Sequence, residues 1–507
     1  MTVGATGRNV IANLLGSVWT ALLSVLFIPV YLRFLGPEAF GLVGVLAALQ
    51  AVFGVFDLGM GATFNREMAR LAASGSDGRR EREAVRTFEL VYWSIGVFAA
   101  AAIAFGASFI VHRWIHAQHL TAQTVSRSVM LMGVIVGAQF PFALYQAGLL
   151  GRQRHVLLNA LTVSITTVRT IGAVLLIWRV AASIELFFAW QALMMIVQVV
   201  VTAAALWRDL PRTGARAGVR GALFGELWGF SAALAGNAVL GLLLTQTDKM
   251  LLSGMLPLAQ FGYYTLAGSI AAVLWYVINP LGTAFYPRFT AVLHSGDEAA
   301  AIDVYHRACQ IMAVMLLPIS ATLAAFSHQL IFVWTRNAAL AQATALTAAL
   351  LVAGTTLNGL SNLPVLFGVA AGFPLVITIT NLIAVCVIVP AIFVATKRFG
   401  IQGAAAVWVL LNSFYVFVAV PLMHSRVLRG EKGHWYANDF AKPVLVAGGC
   451  AVIARLLLPR DLGIAGSVVY VAISGLVIAL ATAMVLPHIR ALSKTLLTSR
   501  RQRVYGN

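Results

Sequence analysis

Two charged side chains interrupt stretches of sequence that are otherwise apolar. Arg169 lies about thirteen residues into the apolar run 156–178, and Asp57 lies in the run 40–62, about nine residues before Arg66. A charge deep in a membrane span costs at least about 2.5 to 3.5 kcal/mol unless it is paired or hydrated. Arginine can hold a phosphate through two parallel hydrogen bonds, and a carboxylate can take up a proton or a cation. Their position therefore indicates a function inside the membrane.

Further polar residues recur at helical spacing within the apolar runs, as expected for one polar face per helix. The candidates on these faces are Asn13, Asn237, Trp275, Asn279 and Asn358. Asp248 and Lys249 stand near one end of the run 224–247, and Arg33 follows the run 10–32. The faces predict either a shared polar chamber or close helix packing through small and hydroxylated residues. Arg33 is by default a cation that anchors its helix at the membrane interface.

The composition indicates the elements that position these residues. Of 507 residues, 60% are hydrophobic and 10% are charged, which is typical of a polytopic membrane protein. We predict an all-α fold with about 14 transmembrane helices. The spans are 10–32, 40–62, 88–111, 125–150, 156–178, 186–207, 224–247, 261–286, 308–326, 340–367, 374–396, 401–421, 443–458 and 464–486.

The net charge of +18 comes from short basic clusters between the spans. These clusters fall mostly on one side, which predicts that both termini are cytoplasmic. The aromatic and basic interleaving of a nucleic-acid surface is missing, so we expect no nucleic-acid partner. No segment between spans exceeds about 25 residues. We therefore expect no soluble catalytic domain and no enzyme activity.

A shift of 221 residues brings the segment near Phe34 over the segment near Met255. Phe40 then meets Phe261, Gly41 meets Gly262, and Gly61 meets Gly282. An even repeat of six helices predicts two parallel halves with a pathway between them. The predicted parts are an N-terminal half (1–207), a basic cytoplasmic linker (208–222), a C-terminal half (223–421), and two additional helices with a basic tail (422–507).

Metal and cofactor sites are not expected. The three cysteines, Cys309, Cys386 and Cys450, are far apart in apolar runs. His112, His116 and His119 have a spacing that suits a metal, but they lack a nearby carboxylate or cysteine ligand, so we interpret 112–119 as an interfacial loop.

The segment "PVYLRFLGPEAFGLVGVLAALQAVFGVFDLGMGATFNREMAR" resembles the opening signature of the Wzx-type polysaccharide flippases, which belong to the multidrug, oligosaccharidyl-lipid and polysaccharide exporter superfamily. The matching positions are Pro29, Leu35-Gly36, Phe40-Gly41, Asp57-Leu58-Gly59 and Arg66. The resemblance continues at 148–160, 247–267 and 399–408.

The resemblance implies that the chain moves polyprenyl-diphosphate-linked oligosaccharides across the bacterial inner membrane by alternating access. Membrane lipid and the polysaccharide polymerase and chain-length machinery are the partners it suggests. On this hypothesis Arg169, Lys249, Arg33 and Arg66 attract the diphosphate, and Asn13, Asn237, Trp275, Asn279 and Asn358 accommodate sugars. Asp57 and Asp248 then bias alternating access, although Asp57 could instead contact the cargo or only lock helices together.

Three alternatives stay open from the sequence. They are a multidrug or other small-molecule exporter of the same superfamily, a peptidoglycan-precursor flippase, and a membrane glycan polymerase or ligase. The polymerase or ligase is the weakest of these, because such an enzyme is expected to carry a long catalytic outer loop.

Overall fold

The fold was derived from a computed structural model, which describes residues 16, 19–74, 78–212, 218–219, 221–459 and 462–490. The side chains at 221–235, 237, 238 and 376 lie outside this description, as does Asn13. The described part is helical, and it contains no β-strand, although one isolated parallel bridge joins His116 and Pro257. The all-α prediction is confirmed.

Seventeen α-helices are numbered here in chain order. They are α1 Ile28–Gly54, α2 Met60–Ala73, α3 Arg79–Phe109, α4 Ala122–Gly151, α5 His155–Arg179, α6 Ile184–Asp209, α7 Gly221–Met255, α8 Leu258–Ala272, α9 Trp275–Ser295, α10 Glu298–Ala325, α11 Ser327–Thr335, α12 Ala338–Ala370, α13 Pro374–Phe414, α14 Val420–Arg426, α15 Lys432–His434, α16 Lys442–Leu456 and α17 Ile464–Val485. Residues 19–26 are also helical and lead into α1. Short π-helical segments cover Ile110–Trp114, Tyr415–Ala419 and Trp435–Ala441.

Local chemistry fixes several helix starts. Four helices begin after a side chain that accepts a backbone N–H three residues on, which satisfies one of the otherwise unpaired donors of the first turn. These capping residues are Thr121 before α4, Ser183 before α6, Asp297 before α10 and Asn337 before α12.

The apolar lengths confirm a multi-pass membrane protein. Within the described residues, nine helical segments are long and apolar enough to cross a membrane, or ten if the bent pair α8 and α9 counts as one span. Each predicted span overlaps helical residues, the first one only over its described residues, although the spans 40–62 and 261–286 are each interrupted by a helix break. Four of the fourteen predicted spans have no separate candidate in this count. The spans 10–32 and 224–247 contain residues or side chains outside the description, and the other two follow from helix lengths. The segment Ile377–Arg426 holds two predicted spans joined at Gly400, where the backbone is not helical, and α16 has only 15 residues.

Two compact units divide between Gly262 and Tyr263. In the first unit α4 packs against α3 and α6, and α7 packs against α1. In the second unit α12 packs against α10 and α13, and α10 also packs against α17. The division lies downstream of the predicted linker, 208–222, because α7 joins the first unit. Trp114 Nε1 donates to Ser253 Oγ at 3.0 Å, and Leu258 N donates to His116 O at 3.0 Å.

The second predicted span is not one continuous helix. α1 ends at Gly54, a 3₁₀ turn covers Val55–Asp57, and α2 begins at Met60. Leu58 and Gly59 between them have positive φ angles of 48° and 75°. Glycine adopts this left-handed conformation at little cost, whereas leucine rarely does. Asp57 therefore lies at a helix break and not within one continuous helix.

The 221-residue repeat agrees with the element bounds. The part of α1 after the non-helical Gly36 starts at Pro37, and α8 starts at the equivalent Leu258. α2 ends at Ala73, and α9 ends at Ser295, one residue after its equivalent. Gly41 and Gly262 are equivalent, and they pack reciprocally: a Cβ on Gly41 would meet the carbonyl of Leu258, and one on Gly262 would meet the carbonyl of Pro37. The glycines therefore permit close backbone contact.

Candidate functional site

Asp57 lies at the helix break of the first unit. Its Oδ1 accepts a hydrogen bond from the Tyr92 hydroxyl at 2.6 Å, and its Oδ2 accepts one from the Gly61 N–H at 3.3 Å. The Asp57 side chain is partly exposed, whereas Tyr92 is fully buried on α3. The carboxylate thus caps α2, where the positive end of the helix dipole favours a negative charge, and it also ties α2 to α3.

Arg169 lies in the middle of α5 and is half-buried. Trp190 Nε1 of α6 donates to the Arg169 backbone carbonyl at 2.8 Å, so α6 holds the backbone and leaves the guanidinium to other partners. The guanidinium lies close enough to Tyr31 of α1 for the two to interact electrostatically. Among the described residues, no carboxylate forms a salt bridge with Arg169. Its charge is therefore suited to an anionic ligand.

The N-terminal helical residues pack on α5. Trp19 Nε1 donates to Thr167 Oγ1 at 2.9 Å, and a Cβ on Gly16 would lie 2.9 Å from Asn159 Oδ1. Polar groups of the N-terminal helical residues and of α5 therefore meet each other here, which favours the packing interpretation for these particular residues.

The other predicted cations of the first unit are spread along its length. Arg33 is exposed on α1, and the half-buried Lys249 of α7 donates to Gln246 Oε1 at 2.9 Å. Both precede the segment where Pro37 and Gly41 meet Leu258 and Gly262. Arg66 is exposed on α2, next to residues that pack on Gly151 at the end of α4. Asp248 is half-buried beside Lys249.

In the second unit, Trp275 and Asn279 follow the break between α8 and α9, where the helices bend by 42°. Trp275 is half-buried, and Asn279 is exposed. Asn358 of α12 donates to Asn412 Oδ1 of α13 at 2.8 Å. Asn412 is fully buried and itself donates to the Trp408 carbonyl at 2.8 Å. Asn358 is therefore already engaged in an interhelical amide pair. The Asn237 side chain lies outside the described residues.

Sequence reasoning missed a buried ionic network at the end of the first unit where α3 and α5 begin and α4 and α6 end, which we call the arginine network. Arg152 forms ion pairs with Glu81 and, at 2.6 Å, with Asp209; Arg154 also pairs with Asp209 at 2.6 Å. Glu89 accepts from Trp207 Nε1 at 2.7 Å, Tyr145 OH at 3.0 Å and Arg86 Nη1 at 2.9 Å. The basic clusters predict only the orientation of the chain. The carboxylates in the same segments are the sequence signal that could have indicated the ion pairs.

Sequence reasoning also missed a buried carboxylate on α1, Glu38. Glu38 is buried after the Gly36 kink and accepts hydrogen bonds from the backbone N–H groups of Gln118 and His119. The histidine-containing loop 112–119 is thus held by its backbone against α1.

The second unit contains a group that we call the histidine cluster. It consists of His306 and Gln310 of α10 together with Glu431, His434 and Asp439 from the connection between α14 and α16. His306 and Asp439 are 133 residues apart, so no local spacing indicated their contact.

Solved structures of other proteins share this fold. The lipid II flippase MurJ in an inward closed conformation is similar with a TM-score of 0.70 and 12% identity, covering 94% of this chain and 98% of that chain. An inward-facing multidrug resistance MATE family transporter of the MOP superfamily is similar with a TM-score of 0.66 and 14% identity, covering 80% and 94%. An outward-facing MATE family structure has a TM-score of 0.57, 15% identity and coverages of 84% and 95%. At these identities the likeness shows the fold, which is that of MOP superfamily transporters.

The family follows from the sequence itself. The family model described as polysaccharide biosynthesis protein matches residues 6–293, which is more than half of the chain. The chain belongs to this family, as its resemblance to polysaccharide flippases implied. Among curated proteins, none matches the sequence. Family and fold together indicate a flippase-type transporter.

Proposed function

We propose that this protein flips polyprenyl-diphosphate-linked oligosaccharides from the cytoplasmic to the outer leaflet of the bacterial inner membrane, by alternating access, for surface polysaccharide synthesis. Family membership supports the glycan cargo, since that family's description is polysaccharide biosynthesis. In this topology both termini are cytoplasmic, and the end that carries the arginine network faces the cytoplasm.

The observation that carries the proposal is the charged Arg169 in the middle of an apolar 25-residue helix. A diphosphate cannot enter hydrocarbon without replacement of its hydration shell. A guanidinium can replace part of that shell with two parallel, charge-assisted hydrogen bonds. Tyr31, close to Arg169, adds a hydroxyl to the same environment.

The remaining candidates take secondary roles. Arg33, Lys249 and Arg66 would attract the anionic headgroup near the ends of the first unit. Asn13, Asn237, Trp275 and Asn279 would bind sugar hydroxyl groups and ring faces. Asn358 can do so only if it exchanges its bond to Asn412. Asp57 and Asp248 would bias alternating access, by protonation or cation binding.

Reconstituted transport tests the cargo and Arg169 together. The purified chain in liposomes, loaded with a polyprenyl-diphosphate oligosaccharide, should expose the glycan to a membrane-impermeant lectin or glycosidase faster than protein-free liposomes do. Arg169→Ala should slow this rate about 10- to 100-fold, because a hydrogen bond to a charged group contributes about 1.5–3 kcal/mol. Arg169→Lys should retain an intermediate rate, since it keeps the charge but not the bidentate geometry.

Arg179 provides a matched control at the end of the same helix. It is exposed, and its guanidinium lies 4.1 Å from the Trp178 ring centre. Arg179→Ala removes the same charge from the same helix and should leave transport unchanged. Equal rates for wild type and Arg169→Ala would exclude the role assigned to Arg169.

The peptidoglycan precursor is the second cargo to test, because the MurJ structure has the same fold over 94% of this chain. Lipid II and a cationic drug should be offered to the same liposomes in parallel. Faster transport of lipid II than of the oligosaccharide would favour a peptidoglycan-precursor flippase, and drug export alone would favour a multidrug exporter. Cleavage or extension of the glycan during the assay would instead indicate an enzyme.

A further inference from the structure

The histidine cluster brings two imidazoles and a buried carboxylate together without any role in the proposed transport. His306 and Asp439 are only 3% and 2% exposed. His306 Nδ1 contacts Asp439 Oδ2, and His306 Nε2 lies 3.1 Å from Glu431 Oε2. The His434 ring packs edge-on against His306 with ring centres 4.5 Å apart. One ligand atom from each of His306, His434 and Asp439 lies within 4.8 Å of the other two.

We propose that His306, His434 and Asp439 bind a divalent transition-metal ion, with Zn²⁺ as the best match. In a tetrahedral zinc site with bonds of about 2.0–2.1 Å, neighbouring ligand atoms lie about 3.3 Å apart. His306 Nδ1 and Asp439 Oδ2, which contact each other directly, must therefore move apart, and the His434 atom, within 4.8 Å of both, must adjust to the same spacing. Two imidazoles and a carboxylate suit zinc, whereas Mg²⁺ and Ca²⁺ prefer oxygen ligands alone.

The surrounding hydrogen bonds assign the ligand atoms. With the metal on His306 Nδ1 and Asp439 Oδ2, the Nε2–H of His306 donates to Glu431, and Gln310 Nε2 donates to Asp439 Oδ1 at 2.8 Å. Both inner ligands thus receive the outer hydrogen bonds that usually orient metal ligands. Glu431 and Gln310 are therefore positioning residues.

The cluster has a route for the ion. His434 is exposed and Glu431 is half-exposed, whereas His306 and Asp439 are buried. The metal would enter from the His434 side, and water would occupy the fourth coordination position there. Bound in this way, the ion ties the connection 427–441 to α10. The spacing of neighbouring histidines and cysteines in the sequence does not indicate this site, because its ligands are far apart along the chain.

Metal binding to the full-length, tag-free protein in detergent tests this proposal. After chelation and dialysis, added Zn²⁺ should bind at about one ion per chain by elemental analysis and should raise the melting temperature. Co²⁺ should give the visible absorption of a tetrahedral site. His434→Ala should lose the bound zinc, the cobalt spectrum and the zinc-dependent thermal shift, while its metal-free melting temperature stays near that of wild type because His434 is exposed.

Two further variants keep the test decisive. His294→Ala removes an exposed histidine of the same unit outside the cluster and should behave as wild type. Glu431→Gln should weaken zinc binding about 10- to 100-fold without abolishing it, as expected for an outer hydrogen-bonding partner. Wild-type protein that holds no zinc after dialysis, or His434→Ala protein that holds as much as wild type, would overturn the proposal.

Discussion

The arginine network of the first unit and the histidine cluster of the second unit occupy related stretches of the 221-residue repeat but use different chemistry. Glu89 of the arginine network and Gln310 of the histidine cluster are equivalent positions of the repeat. The equivalents of Glu81, Arg152 and Asp209 are Ile302, Phe373 and Gly430, so the first unit's ion pairs have no counterpart. The repeat has therefore kept helix positions while the buried polar contacts have diverged.

The difference lies in how each group responds to conditions. Arginine stays charged at every physiological pH, so the arginine network is permanent. A site of histidines and carboxylates can gain or lose a metal ion, so the histidine cluster can change with metal supply. The ion pairs of the arginine network are thus constant, whereas the contacts of the histidine cluster depend on whether the metal ion is bound.

The helix breaks of the two units also differ in their polar contacts. The first unit's break is held by Asp57 and Tyr92, and the equivalent residues in the second unit are Ile278 and Ala313. The bend between α8 and α9 therefore forms without the corresponding carboxylate. The two breaks also lie at different positions of the repeat, since the equivalents of Leu58 and Gly59 are Asn279 and Pro280, whereas the second unit's break lies at 273–274.

The largest effect is expected from Arg152→Ala. Arg152 has 14% side-chain exposure, and its loss leaves Glu81, with 3%, as a buried charge deprived of this partner. Removal of one partner from a buried ion pair costs about 3–5 kcal/mol. We expect a loss of this size in the free energy of unfolding, measured by denaturation in mixed micelles.

Arg154→Ala is the matched control, because Arg154 pairs with the same Asp209 but is 54% exposed. An exposed ion pair contributes about 0–1 kcal/mol. If both variants lost the same stability, burial would not distinguish the two arginines. Neither variant should change the zinc response of the histidine cluster.

The comparison also shows what the sequence could predict. Long apolar runs located the spans well: 125–150 was predicted and α4 covers Ala122–Gly151. The break at Leu58-Gly59 was missed because hydropathy continues through it, although Gly59 was a local signal. The contacts Glu81–Arg152 and His306–Asp439 join residues 71 and 133 positions apart, and a single sequence does not specify such pairs.

Exchanging the equivalent residues Glu89 and Gln310 should have the next largest effect. Glu89→Gln replaces an acceptor of three hydrogen bonds by an amide whose NH₂ faces donors. We expect a loss of about 1.5–3 kcal/mol in the free energy of unfolding, the value of a hydrogen bond to a charged group.

The reverse change, Gln310→Glu, places a carboxylate against Asp439 and removes the donor to its Oδ1. We expect a similar loss that Zn²⁺ partly restores, because a cation relieves the repulsion between the carboxylates. A loss that zinc leaves unchanged would contradict the assignment of Asp439 as a ligand. Glu89→Gln provides the control, since zinc should not restore it.

The smallest effect concerns the break at Asp57. Tyr92→Phe removes the hydroxyl that donates to Asp57 and keeps the buried ring. Because Asp57 is partly exposed and water can replace the lost donor, we expect a loss of about 1 kcal/mol in the free energy of unfolding. Asp57→Asn keeps one acceptor oxygen for the Gly61 N–H, and the Tyr92 hydroxyl can accept from the new Nδ2–H, so this variant should cost less stability. The two variants distinguish a structural role of Asp57 from a role of its charge in transport. If transport is lost in Asp57→Asn but kept in Tyr92→Phe, the charge itself drives the transport cycle. If both variants lose little transport and to the same extent, Asp57 only holds α2 against α3.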